Sequence, residues 1–195
     1  MSAHEGEKTL LMPSLRTDRV IKDPKVIEQI LNRAPVGHLG LCWKNQPYVV
    51  PLLFAFKYGN IYLHSSDSGM MMQFLRNNSS VCFEVEEFLN IVPAPVPCKW
   101  SNTYRSVIAF GTAHILADPD EKTAGLHSIV AKYAGEEVAR SLTKDMVEEY
   151  RSMLLHRRTV VFKIRIDQIT GKRFETEKTD VSTPASTALR PSDPP

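Results

Sequence analysis

Within six residues, His64-Ser65-Ser66 and Ser68-Gly69 gather one imidazole, three hydroxyls and a glycine. The first three close an apolar run and the last two open a helical one. Hydroxyls and free backbone N–H groups at a helix start make a ready anion site. Gly69 allows close approach there, and Arg76 lies about two turns further on. An ordinary capped helix uses the same residue types, and taken alone the segment favours that simpler reading. His64 is the one side chain nearby that titrates close to neutrality, although beside Tyr62 it could equally be a half-buried polar residue without a role. A second cluster runs from Cys98-Lys99-Trp100 to Tyr104-Arg105-Ser106. Trp100 and Tyr104 offer flat surfaces that either stack on a planar ligand or close the end of a barrel.

Other chemistry is not signalled. GxGxxG, the Walker loop, GxSxG and HExxH are absent. The six histidines (His4, His38, His64, His114, His127 and His156) are scattered singly, so no metal site is expected. The three cysteines, Cys42, Cys82 and Cys98, form no CxxC pair and sit in or beside strand-like runs. They read as reduced, mostly buried thiols of a cytoplasmic protein. Among 195 residues, 24 Lys+Arg against 22 Asp+Glu leave a net charge of +2, too little for a nucleic-acid footprint. Mean hydropathy is -0.22, and no stretch approaches the ~20 apolar residues of a membrane span.

The elements that must position these groups follow from periodicity. A polar leader covers residues 1–15, patterned sequence covers 16–174, and 175–195 reads as a disordered tail rich in Ser, Thr, Pro and charge. Asp23-Pro24 starts a helix with Val26, Ile27, Ile30 and Leu31 on one face, and Pro35 stops it. Strands are expected over Val36–Trp43, Tyr48–Phe56 and Ile61–Ser66. Pro51 makes the second an edge, a bulge or a place where the ladder opens. Asp67 or Ser68 can cap a short helix from Gly69 to Arg76 with Met71, Phe74 and Leu75 together. A strand Ser80–Phe88, an irregular proline-rich excursion over Leu89–Asn102 and a strand Thr103–Ala117 come next. Asp118-Pro119 opens a helix ending at Gly135. A helical stretch Thr143–His156 precedes a last strand, Thr159–Ile169, that alternates strictly, with Val161 among the polar positions. About six antiparallel strands with three or four helices suggest an α+β barrel with helices at its rim.

In this order and spacing the segments resemble the pyridoxamine 5′-phosphate oxidase-like FMN-binding split barrels, most closely the 5-nitroimidazole-resistance reductases. The matching segments are Ile30-Leu31 with Val36-Gly37-His38-Leu39, Pro47-Tyr48-Val49-Val50-Pro51-Leu52, and Ile61-Tyr62-Leu63-His64. Gly69 with Leu75-Arg76-Asn77-Asn78, Val81-Cys82-Phe83-Glu84-Val85 and Tyr104-Arg105-Ser106-Val107-Ile108 with Gly111 come next. Glu121-Lys122 and Ile169-Thr170-Gly171-Lys172 complete the series, over roughly residues 16 to 174.

The resemblance implies a six-stranded antiparallel split barrel and a homodimer with FMN at the subunit interface. Val50, Pro51 and Leu52 would lie along the isoalloxazine edge, and His64, Ser65 and Ser66 at the neighbouring strand end. Gly69, Met70 and Met71 would approach the phosphate. Trp100, Tyr104, Arg105 and Ser106 would close the pocket. Where relatives often carry Arg or Lys after the glycine, this chain has Met70 and Met71. The phosphate would then rest on the helix start, Ser65, Ser66 and Arg105, with moderate affinity. The activity implied is a flavin-dependent reductase, moving electrons from a reduced nicotinamide to a small acceptor such as a nitroaromatic, with His64 as the catalytic residue. The alternatives are a deazaflavin in place of FMN, or a non-catalytic flavin or haem binder, for which His38, His64 and His114 offer ligand types.

Overall fold

A computed structural model of the chain describes residues 15–151 and 156–175. The leader up to residue 14, the tail from 176, and Met153 and Leu154 of the last expected helix lie outside the described residues. Strand β1 (Val20–Ile21) leads into helix α1 (Pro24–Arg33), whose start is capped by Asp23 accepting the Lys25 N–H at 2.9 Å. Ile30 and Leu31 are buried, with Val26 and Ile27 packed beside them, as the helical spacing requires. Strands β2 (Gly37–Trp43) and β3 (Gln46–Leu52) form a hairpin about Lys44 and Asn45, both at positive φ. Tyr58 and Gly59, also at positive φ, turn β4 (Phe54–Lys57) into β5 (Asn60–Ser66). Such two-residue turns match the twist of the strands they join.

After α2 (Met70–Asn77) come two long strands, β6 (Ser80–Val92) and β7 (Ser101–Ile115). The excursion expected over Leu89–Asn102 is shorter than its prolines suggest. β6 continues to Val92, past a bulge between Phe88 and Asn90, and β7 begins at Ser101. Helices α3 (Pro119–Ala134), α4 (Glu136–Arg140) and α5 (Lys144–Glu149) precede β8 (Thr159–Phe174). Asp118 caps α3 by accepting the Glu121 N–H at 2.9 Å, and Thr143 caps α5. The described residues therefore hold eight strands and five α-helices, against about six and three or four expected. The surplus strands are the two-residue β1 and the division of one expected strand into β3 and β4. α5 stops at Glu149, short of the expected His156.

That division sets the architecture. The sheet runs β3-β2-β6-β7-β8-β5-β4, with β1 beside β8, and every pairing is antiparallel. Its two terminal strands are consecutive in the chain and separated by Leu53 alone. The path thus returns on itself through one residue, giving a split barrel of α+β class. Pro51 does not open the β2–β3 ladder, since it pairs in register with His38. Pro47 and Pro51 share one strand parity with Val49, so their missing N–H groups leave the outer edge of β3 poor in donors.

Tyr133 on α3 fastens the crossing. Its hydroxyl accepts the Phe54 N–H at 3.1 Å, and the carbonyls of Pro35 (2.8 Å) and Phe54 (3.1 Å) lie within reach of its proton. Inside, Phe54 meets Phe83 edge-on at 4.9 Å between ring centroids, within a core of Leu39, Leu63, Val85, Val107, Phe162 and Ile164. α3 lies on the outer face of β4, β5 and β8, and comes close because Gly125 has no side chain. A Cβ there would stand 3.0 Å from the Tyr62 ring and 3.1 Å from Val161. This is why Val161 is buried although alternation assigns it to the polar face. The cysteines also differ from expectation: Cys42 and Cys98 are exposed and Cys82 is half-buried. Cys42 and Cys82 take outward positions on β2 and β6, and Cys98 lies in the short turn between β6 and β7.

Replacing Tyr133 with Phe removes the acceptor for the Phe54 N–H and the link to Pro35. The expected cost is ~1–3 kcal/mol, read as a lowered denaturant midpoint with an unchanged slope. A midpoint like that of the wild type would mean that the crossing holds itself.

Candidate functional site

The site begins where β5 runs out. Ile61 and Leu63 face the core, so Tyr62, His64 and Ser66 take the outer face by alternation. His64 pairs in register with Val161 of β8 and is half-buried. Its Nδ1 is buried and has no hydrogen-bond partner among the described residues. Burial pushes its pKa below the ordinary histidine value, so the neutral imidazole is favoured.

The loop after β5 is held from both sides. The Asp67 N–H donates to the Arg158 carbonyl at 3.0 Å, and Arg76 Nη2 donates to the Asp67 carbonyl at 2.9 Å. Asp67 Oδ1 is a second buried polar atom without a partner among the described residues. Two such orphans three residues apart are unusual, because buried polar atoms are nearly always satisfied. Ser66 and Ser68 bring their hydroxyls to 3.4 Å from each other. Neither Asp67 nor Ser68 caps α2, contrary to expectation. Gly69 holds the cap position at φ 101°, with no side-chain bond to the helix. A side chain would be strained at that φ, which explains glycine. The first N–H groups of α2 are therefore left without a side-chain acceptor.

An open cleft of ≈ 560 Å³ lies at this helix start, lined by Ser68, Gly69, Met70, Gln73, Arg76 and Asn77. Gly69, Gln73 and Asn77 recur every four residues along α2, a spacing legible in the sequence, and Gln73 and Asn77 are the lining residues to which the sequence analysis gives no role in the site. A phosphate group fits this donor set. The uncapped N–H groups, the Ser66 and Ser68 hydroxyls and the exposed Arg76 guanidinium together supply neutral and charged donors. Arg76 is the basic residue of this lining, where Met70 and Met71 follow Gly69 in the chain.

The remaining candidates fall into three places. Met70 is 51% exposed beside the cleft, whereas Met71 is 7% exposed and belongs to the core. Val50 and Leu52 pack on the core, and between them Pro51 is exposed. Ser65 is half-buried at the end of β5. None of Trp100, Tyr104, Arg105 and Ser106 lines the cleft. Arg105 is committed to carboxylates, bonding Glu87 at 3.2 Å and Glu175 at 2.6 Å, while Arg33 takes the other side of Glu87. Trp100 is 58% exposed and donates to the Ala94 carbonyl at 2.9 Å. The three histidines of the haem alternative stand apart: His38 lies 3.2 Å from Glu84, and His114 is exposed opposite Lys163.

Comparison with known proteins agrees with this architecture. The family described as pyridoxamine 5′-phosphate oxidase matches residues 23–173. A candidate 5-nitroimidazole antibiotic resistance protein from Bacteroides thetaiotaomicron is 30% identical, with a TM-score of 0.59, over 79% of this chain and 86% of that one. The flavocytochrome Anf3 of Azotobacter vinelandii superposes with a TM-score of 0.67 at 21% identity, over 84% of this chain and 73% of its own. An FAD- and haem-binding protein of Mycobacterium smegmatis gives 0.62 at 17% identity, over 89% and 94%. No curated protein matches the sequence. The last two likenesses concern the fold alone.

The burial of His64 makes a pH prediction. Because the folded pKa lies below the unfolded one, the unfolded chain binds the extra proton first as pH falls through ~6.5. Stability is therefore lost on acidification. Between about pH 7 and pH 5, the melting temperature of the wild type should fall more than that of His64→Gln. Parallel curves would show that His64 is not held neutral by the fold.

Proposed function

We propose that this chain, which belongs to the pyridoxamine 5′-phosphate oxidase family, binds FMN at the β5–α2 junction and reduces a small electrophilic acceptor such as a nitroaromatic. The observation that carries this reading is the uncapped start of α2, with Arg76 in the same cleft and two orphaned buried polar atoms, His64 Nδ1 and Asp67 Oδ1, in the strand end and loop that precede it in the chain. When bound, FMN supplies the electron-pair transfer between a reduced nicotinamide and the acceptor.

The chain's own residues bind and orient. The α2 N–H groups, Ser66, Ser68 and Arg76 hold the phosphate. The Arg76 contact to the Asp67 carbonyl fixes the loop so that those donors stay convergent. His64, kept neutral by burial, offers Nδ1 as a hydrogen-bonding atom to flavin or acceptor. On protonation it gives up that proton readily, because its surroundings disfavour the charge. The nitroaromatic acceptor draws support from the Bacteroides relative, whose name concerns 5-nitroimidazole resistance.

The reading includes a second copy of the chain. Phe88, Leu89, Ile91, Val96 and Trp100 are all exposed around the β6–β7 hairpin. A two-stranded arm with apolar side chains facing water is poorly stable by itself. Pairing of two copies would cover it and bring Trp100 and Tyr104 towards a neighbouring site.

Flavin absorption on titrating the full chain with FMN tests the binding. Arg76→Ala should weaken FMN by roughly 10–100-fold, the range of a hydrogen bond to a charged group, and leave riboflavin, which lacks the phosphate, unchanged. With FMN bound, His64→Ala should lower nitroimidazole turnover by about 10²-fold at unchanged flavin content. No saturable change in the flavin spectrum on titration with FMN, or a saturable shift of the Soret band on titration with haem in its place, would overturn the reading.

A further inference from the structure

A second cavity, of ≈ 710 Å³, runs along the far edge of β4 and shares no lining residue with the cleft at α2. Its walls are the outer strand β4 from Ala55 to Lys57 with Tyr58, the α3 face carrying Thr123, Ala124, His127, Ser128, Ala131 and Lys132, and Asn32 at the end of α1. β4 ends the sheet path, so among the described residues no strand pairs with its outer edge. Asp120 and Glu136 complete the rim.

The charges in this cavity do not cancel locally. Asp120 is taken by Lys144 at 2.5 Å, and Glu136 by His127 at 3.6 Å and Arg140 at 3.9 Å. Lys57 and Lys132 have no carboxylate partner among the described residues. Lys57 lies over the Tyr58 ring. Lys132 is half-buried, donates to the Leu31 carbonyl at 3.0 Å and stands 3.5 Å from the Phe54 ring centroid. A carbonyl and a ring face compensate an ammonium less fully than a carboxylate does.

We propose that this cavity is a binding site for a small organic monoanion of the carboxylate class, held between Lys57 and Lys132. The alanines at 55, 124 and 131 and the Tyr58 ring give its body an apolar wall. Asp120 and Glu136 carry their own cationic partners, so the preference for a monoanion with an organic body rests on the apolar wall, which a compact inorganic anion would leave uncovered. Burial lowers Lys132 to about 8, and a bound anion would raise it again. The titratable groups facing the anion are Lys57 from β4 and Tyr58 from the turn after it, Asp120, His127 and Lys132 from α3, and Glu136 from α4. α1 contributes only the neutral Asn32.

Titration of the full chain with benzoate, and separately with inorganic phosphate, followed by NMR or calorimetry, tests this. Benzoate should saturate and phosphate should bind more weakly. Lys57→Gln and Lys132→Met should each weaken benzoate by about tenfold or more, with the fold checked by circular dichroism. As Lys57 is exposed, its variant remains informative if Lys132→Met fails to fold. Benzoate affinity of the wild type should also drop between about pH 7 and pH 9 as Lys132 loses its proton. No saturable benzoate binding, equal binding by Lys57→Gln, or phosphate binding as tightly as benzoate would overturn the proposal.

Discussion

The backbone at Phe54 must join the two ends of one strand path, and the barrel depends on how that demand is met. β3 belongs to one end of the strand path and β4 to the other, with a single residue between them. A chain that changes strand partners in one step leaves backbone groups without a ladder, and a buried orphan of that kind costs as much as a lost hydrogen bond. Tyr133 meets this from outside the sheet, reaching Phe54 and Pro35 together. The same helix buries Val161 through the close approach at Gly125, so α3 fixes β4, β5 and β8 as one unit. The end of β5, where His64 sits, is therefore placed by packing that involves no ligand.

Local signals in the sequence foretold local structure. Asp23 and Asp118 each cap the helix they precede, and the turns at Lys44-Asn45 and Tyr58-Gly59 lie where strand patterning breaks. What escaped was decided at long range. The break at Leu53 reflects which strands β3 and β4 pair with, and no residue near it announces that choice. The bulge of β8 at Asp167, opposite Phe110 and Gly111 of β7, is similar. A Cβ at Gly111 would lie 2.1 Å from the Arg165 carbonyl oxygen, a contact made across β8. The prolines at 93, 95 and 97 masked strand residues on both sides of them.

The candidate site was legible in part for the same reason. His64, Ser65, Ser66 and Gly69 are neighbours in sequence, so their proximity needs only β5 and α2 to form, and of the four Gly69 is the one that lines the cleft. Met70 and Met71 look alike in sequence, and the helix phase separates them, one to the cleft and one to the core. Arg105 seemed free because its carboxylates lie 18 and 70 residues away in sequence. Arg76, two turns into α2, is the cation that the fold brings to the helix start. An anion at such a start gains from the helix dipole and from converging N–H groups together, and an arginine on the same helix adds charge without a further loop.

The central claim is that the β5–α2 junction receives the phosphate of a flavin. Hydrogen exchange of the full chain with and without FMN addresses it directly, because the amides in question are named. Slower exchange concentrated over His64 to Gln73, with the strands of the core unchanged, is the result this account predicts. Unaltered exchange in that segment at saturating FMN, or protection centred elsewhere in the fold, would contradict it.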